Sequence, residues 1–358
     1  MMERLPKRVL DSLPDPILLI DDHRMVVDAN QAARDTLGME LRGHDLARTL
    51  RHPDVLEAVD AVLLGTPRCT AEITLSAAPP RMFTVHVIRL KDPEVPVDKV
   101  SAIVVLNDIT TAKRAEQMRA DFVANASHEL RSPLSALLGF IETLRGPAID
   151  DADARARFLD IMNREARRMA RLIDDLMSLS KVEINEHVRP QHPVDMRFVA
   201  ENVTEMLAQK ALDKEMTLTV QPHNDVPQAI GDTDQLIQVI RNLVENAIRY
   251  GRAKTEVTIT ISRASRIPDI GGVGVGIAVA DQGDGIPKNS IPRLTERFYR
   301  VDKARSKSLG STGLGLAIVK HIINRHRGRL VVESELGQGS TFTVYIPAFE
   351  ATVLDVKN

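Results

Sequence analysis

The strongest constraint in this chain lies between residues 111 and 183, where two long helical repeats run with almost no turn residues inside them. Leu130, Leu134, Leu137, Ile141 and Leu144 step by four, three, four and three, which is a heptad seam. GPAIDDAD at 146–153 breaks the pattern. Phe158, Met162, Glu165, Met169, Leu172, Leu176 and Leu179 then resume it, with Glu165 the one polar intruder. Two long helices around a short break predict an antiparallel hairpin. Its apolar seam fits either a hairpin packed on a neighbouring domain or half of a dimeric four-helix bundle, and the length of the seam favours the dimer.

The hairpin is flanked by segments with a different grain. To residue 110, short apolar runs alternate with turn residues: ILLIDD (17–22), MVVDAN (25–30), CTAEITL (69–75), MFTVHVIRL (82–90) and SAIVVLND (101–108) read as five strands. NQAARDTLG at 30–38 reads as a helix capped by Asn30 and ended by Gly38, and KDPEVPVDK before the last strand reads as a loop. From about 190, helical stretches at 195–213, 232–250 and 313–327 mix with strands at 216–221, 256–263, 275–281, 329–335 and 340–347. That mixture predicts helices on one mixed sheet. The fold class expected is therefore multidomain α+β: an α+β sensor-like domain over 1–110, the hairpin over 111–185, and an α/β sandwich over 190–350.

Composition narrows the work such a chain can do. Lys and Arg number 47 against 49 Asp and Glu, a net charge of −2, and aromatics are 3% with no Trp. A nucleic-acid partner favours a basic surface and stacking aromatics, so that class loses ground. The single cysteine, Cys69, excludes an intramolecular disulfide and fits a reducing, cytoplasmic setting. No apolar run approaches the roughly 20 residues of a membrane helix, and MMERLPKRVL lacks the apolar core of a signal peptide.

Several residues can carry chemistry. His128 lies about 200° round the helix from Leu130, away from the seam, and a neutral imidazole there can attack phosphorus. Glu129 is beside it and can accept the ring's proton. Ser132 falls on the same face about 40° round, and Pro133 removes the hydrogen bond to the Glu129 carbonyl, predicting a kink. The bland reading is a solvated surface histidine. On the 232–250 helix, Leu236, Ile240, Leu243 and Ala247 form an apolar centre, with Asn242, Asn246 and Arg249 on one flank. Two amides and a guanidinium suit a charged ligand, and an asparagine oxygen is a hard donor for Mg²⁺. Glu245 falls opposite the apolar centre and is expected outside any pocket. Asp281 ends a buried strand and is followed by Gly283 and Gly285, so its carboxylate can meet an exocyclic amine. GSTGLGLAIVK (310–320) sets glycines before a helix N-terminus, a phosphate site in form, although the spacing is neither a Walker A loop nor a dinucleotide fingerprint. The preceding segment carries Lys288, Arg293, Arg297, Arg300, Lys303, Arg305 and Lys307, which reads as a basic lid or as a solvated loop.

Taken in order, these stretches resemble a known family. DFVANASHELRSPLSALLGFIETL resembles the phosphoacceptor box of the sensor histidine kinases of two-component systems. NLVENAIRY, DQGDGI, RFYR, GSTGLGL and GQGST resemble the N, G1, F, G2 and G3 boxes of their ATP-binding domain, and LPDPILLIDDHRMVVDANQAA resembles a PAS domain. The subgroup most resembled is the phosphate-regulon type. The resemblance implies His128 as phosphoacceptor and Glu129 as its general base. It implies ATP and Mg²⁺ as cofactors: Asn246 on the metal, Asn242 beside the phosphates, Arg249 and Tyr250 completing the N box, and Asp281 on adenine. Gly283, Gly285 and Ile286 would shape the adenine pocket, Phe298 would anchor the lid, and Gly310, Thr312, Gly313, Leu314 and Gly315 would pass close to the triphosphate. It further implies a homodimer and a separate response regulator as partner, since no receiver domain is present.

Two substitutions bear on activity. Ser132 stands where the subgroup often has Thr, a hydroxyl that helps dephosphorylate the regulator, and Ser311 stands where a second glycine is usual, which implies a stiffer lid hinge. Related kinases carry membrane helices ahead of the PAS domain and none is seen here, so membrane association would need a removed N-terminal region. For the PAS-like segment, a small-ligand or interaction role and a pure scaffold both fit. There is no NCRF-type flavin cysteine motif, and His23, His44 and His52 leave haem open. A different class, the ATPase-driven machines that share the nucleotide fold, places a catalytic Glu one turn before the metal Asn, where this chain has Asn242.

Overall fold

The computed structural model describes residues 4–38, 40–76, 79–90, 100–184, 188–302 and 311–349. The chain divides into two compact units, residues 1–124 and 125–358. In the first unit, α1 (Arg4–Ser12) leads to the hairpin of β1 (Ile17–Ile20) and β2 (Val26–Ala29). Three helices follow, α2 (Gln31–Leu37), α3 (Leu46–Thr49) and α4 (Pro53–Leu64), and then β3 (Arg68–Leu75), β4 (Arg81–Arg89) and β5 (Ala102–Asp108). The five strands form one antiparallel sheet in the order β2-β1-β5-β4-β3. Strict alternation puts Phe83, Val85 and Val87 of β4 and Ala102, Val104 and Leu106 of β5 on the buried face, where α4 covers them with Val55, Val59 and Val62. The strands and the 30–38 helix match the expectation. Cys69 packs half-buried at the rim of this core, and the loop at 91–99 lies outside the described residues.

A single side chain organises the start of this unit. Asn30 is fully buried. Its Oδ1 accepts from the Ile17 and Ala33 amides at 2.9 Å each, capping α2 and fixing the start of β1. Its Nδ2 donates to the carbonyls of Leu10 at 3.2 Å, Leu13 at 3.3 Å and Asp15 at 2.8 Å. At the other end, Asp108 accepts from the Thr110 hydroxyl and amide and from Arg81. These bonds hold its carboxyl down at about 2. That contribution is present above the ordinary carboxylate range and is lost as the pH falls toward about 2.

α5 (Thr110–Arg145) starts in the first unit, and from Asn125 onward it belongs to the second. It forms the expected hairpin with α6 (Ala152–Ile184). The Phe140 and Phe158 rings meet near its tip at 5.2 Å. α5 remains continuous through Pro133, which is buried. Leu134 (47% exposed) and Leu138 (54%) face outward.

The rest of the unit follows as β6 (His192–Val194), α7 (Met196–Leu212), β7 (Thr217–Pro222), β8 (Ala229–Gly231), α8 (Thr233–Tyr250), β9 (Glu256–Ala264) and β10 (Gly274–Asp281). α9 (Gly315–Arg325), β11 (Arg329–Glu335) and β12 (Gly339–Pro347) complete it. The main sheet runs β11-β12-β10-β9-β7, with the β7–β9 pair parallel and the others antiparallel. α8 lies on the crossover that a parallel pair requires. Val257, Ile259 and Ile261 of β9 and Ile277 and Val279 of β10 meet Leu236, Ile240 and Leu243 of α8 in the core. The three-residue strands β6 and β8 pair with each other and were not legible in the sequence.

Replacing Asn30 with alanine removes a helix cap and strands buried donors and acceptors, a cost of about 2–4 kcal/mol to the first unit. Hydrogen exchange of the Ile17 and Ala33 amides in the full chain should accelerate accordingly, and unchanged protection would contradict this role.

Candidate functional site

A cavity of about 390 Å³ opens among α6, α8, the end of β10, the 294–302 segment and the start of α9. α8 supplies its polar wall. Its buried stripe (Leu236, Val239, Ile240, Leu243, Val244, Ala247, Ile248) faces the sheet, which leaves Asn242, Asn246, Arg249 and Tyr250 on the cavity. Asn242 Nδ2 donates to the Gly315 carbonyl at 3.4 Å, and Asn246 Oδ1 accepts from Arg249 at 3.4 Å. Glu245 also lines the cavity, contrary to the sequence expectation. The side of a helix opposite its apolar stripe ordinarily meets water. Here that side is walled in, and the Glu245 carboxylate pairs with Lys210 at 3.2 Å.

Asp281 closes the opposite wall. Its Oδ1 accepts from the Gly283 amide at 2.8 Å, and burial pushes its carboxyl above the ordinary range despite that bond and one from the Ser340 amide. Gly283 bridges to Gly251, which ties this turn to the end of α8. Gly285 lines the cavity with φ +72°, and a Cβ there would fall 2.1 Å from the Glu335 carbonyl oxygen. Ile286 is held next to it by its amide donating to Ser334 Oγ at 2.8 Å. Across the cavity, Gly313 has φ +75°, and a Cβ would meet Phe298 Cα at 2.9 Å. The Phe298 amide donates to the Gly313 carbonyl at 2.9 Å from a left-handed φ of +62°. Thr312, Gly313 and Gly315 line the cavity, while Gly283, Phe298 and the buried Leu314 stand behind its surface. Gly310 and the basic residues Lys303, Arg305 and Lys307 lie outside the described residues.

His128 and Ser132 are exposed on α5 and do not line the cavity. Glu129 connects their helix to it. Glu129 Oε2 accepts from Arg168 of α6 at 2.7 Å and from Arg300 at 3.1 Å, and Arg300 also donates to the Thr312 carbonyl at 3.1 Å. Thr312 Oγ1 donates in turn to Asp175 of α6 at 2.7 Å. Burial pushes the Asp175 carboxyl up, the Thr312 bond opposing. Arg297 and His321 both pair with Glu183 of α6. Arg168, Asp175 and Glu183 escaped the sequence reading. In a heptad hairpin they look like polar positions on a solvated face, and their partners lie far away in the chain.

Among the described residues no cluster of three His, Cys, Asp or Glu side chains forms a metal site. Asn246 presents one hard oxygen on the cavity wall, which fits Mg²⁺ bound chiefly by substrate phosphates and water. Nor is any described helix long and apolar enough to cross a membrane.

Family models match three stretches: the PAS fold over residues 10–114, the His Kinase A (phospho-acceptor) domain over 118–184, and the Histidine kinase-, DNA gyrase B-, and HSP90-like ATPase over 231–350. The chain is 32% identical over 337 residues to the phosphate regulon sensor protein PhoR of Pseudomonas aeruginosa, covering 93% of this chain and 72% of PhoR. It is 39% identical over 255 residues to the sensor-like histidine kinase SenX3 of Mycolicibacterium smegmatis, covering 70% of this chain and 63% of SenX3. With the sensor protein kinase WalK of Staphylococcus saprophyticus it shares 36% over 245 residues, covering 68% of this chain and 39% of WalK.

Gly285 provides a test of this wall that needs no ligand. Gly285→Ala combines a left-handed backbone with a clash against Glu335, a cost of about 2 kcal/mol or more. Exchange of the Ile286 amide should quicken and the thermal midpoint of the full chain should drop. An alanine variant with wild-type exchange at Ile286 would refute the close approach.

Proposed function

The chain belongs to the sensor histidine kinase family, and on that premise we propose that it is an ATP-dependent protein-histidine kinase. It phosphorylates its own His128 and passes the phosphoryl group to an aspartate of a separate response regulator. The observation that carries this reading is the Glu129–Arg300 pair. It joins the residue beside an exposed histidine to a segment of the nucleotide cavity's wall.

Adenine sits against Asp281, whose ionised carboxylate accepts from the exocyclic amine. The Asn242, Asn246 and Arg249 edge of α8 faces the triphosphate across from the Thr312–Gly315 turn. Asn246 would hold Mg²⁺ together with the phosphates, and the ion would supply charge neutralisation at the transferring group. A ring nitrogen of His128 attacks the γ-phosphorus in line. An N–P bond forms as the bond to the β–γ bridging oxygen breaks, ADP leaves, and the proton on the ring's other nitrogen passes to Glu129. Both arginines bind Glu129 through Oε2, so Oε1 is the oxygen suited to take that proton. The phosphoramidate then passes to the regulator's aspartate. Ser132, exposed one turn after His128, helps water hydrolyse the regulator's aspartyl phosphate to aspartate and inorganic phosphate. The exposed seam residues Leu134 and Ile141 support a homodimer built on the hairpin seam.

A water-activating ATPase is less well served. The Asn242 amide is spent on the Gly315 carbonyl, and the carboxylate one turn along, Glu245, is paired with Lys210. An amide cannot take a proton from water, so position 242 supplies no base, and the Glu245 carboxylate is drawn toward Lys210.

Incubation with ATP labelled at the γ-phosphate tests the assignment. His128→Gln is expected to lose the acid-labile, base-stable label while still binding ATP, and label at the wild-type level would refute the phosphoacceptor. Asp281→Ala is expected to weaken ATP binding by about tenfold to a hundredfold, the worth of a hydrogen bond to a charged group, as read by calorimetry. Wild-type affinity in that variant would remove Asp281 from the adenine site.

A further inference from the structure

Behind the cavity, one buried group is used by none of these steps. His326 follows the last turn of α9 and is 1% exposed. Its Nδ1 lies 2.7 Å from the Ile322 carbonyl oxygen, which can only accept, so Nδ1 carries the proton. Its Nε2 lies 3.0 Å from the amide of Asp232, which can only donate, so Nε2 is the bare lone pair. The two contacts together require the neutral ring in one tautomer. A second proton on Nε2 would set N–H against N–H.

What His326 joins gives these bonds their meaning. Asp232 is the N-cap of α8, its Oδ1 accepting from the Gln235 amide at 3.2 Å. α8 carries Asn242, Asn246 and Arg249 to the cavity, and α9 starts at Gly315, on the cavity's opposite lip. The imidazole therefore ties together the ends of the two wall helices that lie away from the cavity. The fit is close: a Cβ on Gly231 would come 2.5 Å from Leu236 Cδ1 and 3.2 Å from the ring.

We propose that neutral His326 is a positioning residue for the nucleotide site, setting α9 against α8 so that the Asn242–Asn246 edge faces the Thr312–Gly315 turn, and that protonation of its ring loosens nucleotide binding. This rests on the nucleotide reading of the cavity. The charged groups facing the ring are Asp232 and Arg325, paired with each other at 3.6 Å, and Arg189. Burial holds the ring's pKa below its ordinary value, with the two arginines adding to that effect and Asp232 and the Ile322 bond opposing it. A group depressed in the folded state stabilises fully above its unfolded pKa of about 6.5 and loses that contribution on acidification. The predicted effect is a decline of affinity as pH falls.

The test uses ADP binding by calorimetry to the full chain, with ring nitrogen shifts of His326 followed by NMR. At pH 7.5, His326→Phe should bind ADP about tenfold more weakly than wild type, because it keeps the ring's shape but loses both nitrogens. His326→Gln, which offers an acceptor and a donor but does not titrate, should stay within about threefold and lose part of the acid decline. A residue that serves packing alone reverses this order, with Phe tolerated and Gln not, and that result overturns the proposal. In wild type, the Nε2 resonance should read as an unprotonated acceptor, and its titration midpoint should move further down with ADP bound, since the coupling is reciprocal. A midpoint that ADP leaves unmoved also overturns it. Failure of wild-type protein to bind ADP at all would instead remove the nucleotide reading.

Discussion

The Glu129 carboxylate is where the phosphoacceptor helix, the second hairpin helix and the wall of the nucleotide cavity meet. Its two arginine partners are largely desolvated, with side chains 10% exposed for Arg168 and 7% for Arg300. A guanidinium that has given up its water needs a counter-charge, and removing one partner from such a group costs more than the group's formation gains. The contacts close a ring. Arg300 reaches from Glu129 to the Thr312 carbonyl, the Thr312 hydroxyl reaches Asp175, and α6 returns to Glu129 through Arg168. The residue beside His128 is thus continuous, through these contacts, with the Thr312–Gly315 turn on the cavity wall. In this arrangement Arg300 is committed to protein atoms, so a nucleotide that recruits its charge must compete with Glu129.

How much of this could be read from the chain depends on the range of the interaction. Helices and strands were legible because burial imposes a local period: Val257, Ile259 and Ile261 alternate, and Leu236, Ile240, Leu243 and Ala247 return to one face. Caps were legible for the same reason, as Asn30 shows. β6 and β8 were not, because three residues are too few to display a period. The site's amide and guanidinium edge was found by angle alone, yet the same angle wrongly excluded Glu245. An angle locates a side chain around its own helix and says nothing about what stands opposite. The Asp175–Thr312 and Arg168–Glu129 contacts join positions with no local relationship, so no pattern within either segment announces them.

The glycine-rich turns show why motif spacing is a weak signal in one copy and a strong one in a series. Gly285 is required because the Glu335 carbonyl occupies the space of a side chain, and Gly313 because the Phe298 backbone does. These are separate close approaches, from a β-hairpin and from the segment before α9, and each turn alone is common in unrelated folds. Only when both bring backbone to one cavity, with Asp281 on one wall and the α8 edge on the other, do they describe a site for a polyphosphate joined to a base.

The same logic separates a kinase from a hydrolase on this scaffold. Both need a cavity that positions the triphosphate and neutralises its charge. A hydrolase must also hold a base next to a water, and here position 242 is an amide, which cannot take a proton, while the Glu245 carboxylate is drawn toward Lys210. A kinase keeps its nucleophile outside the cavity, where it remains unreactive until the donor is brought to it. His128 is exposed and outside the cavity, and its neighbour Glu129 ties their helix to the cavity wall. The ring of contacts around Glu129 is therefore the link between the exposed histidine's helix and the cavity wall.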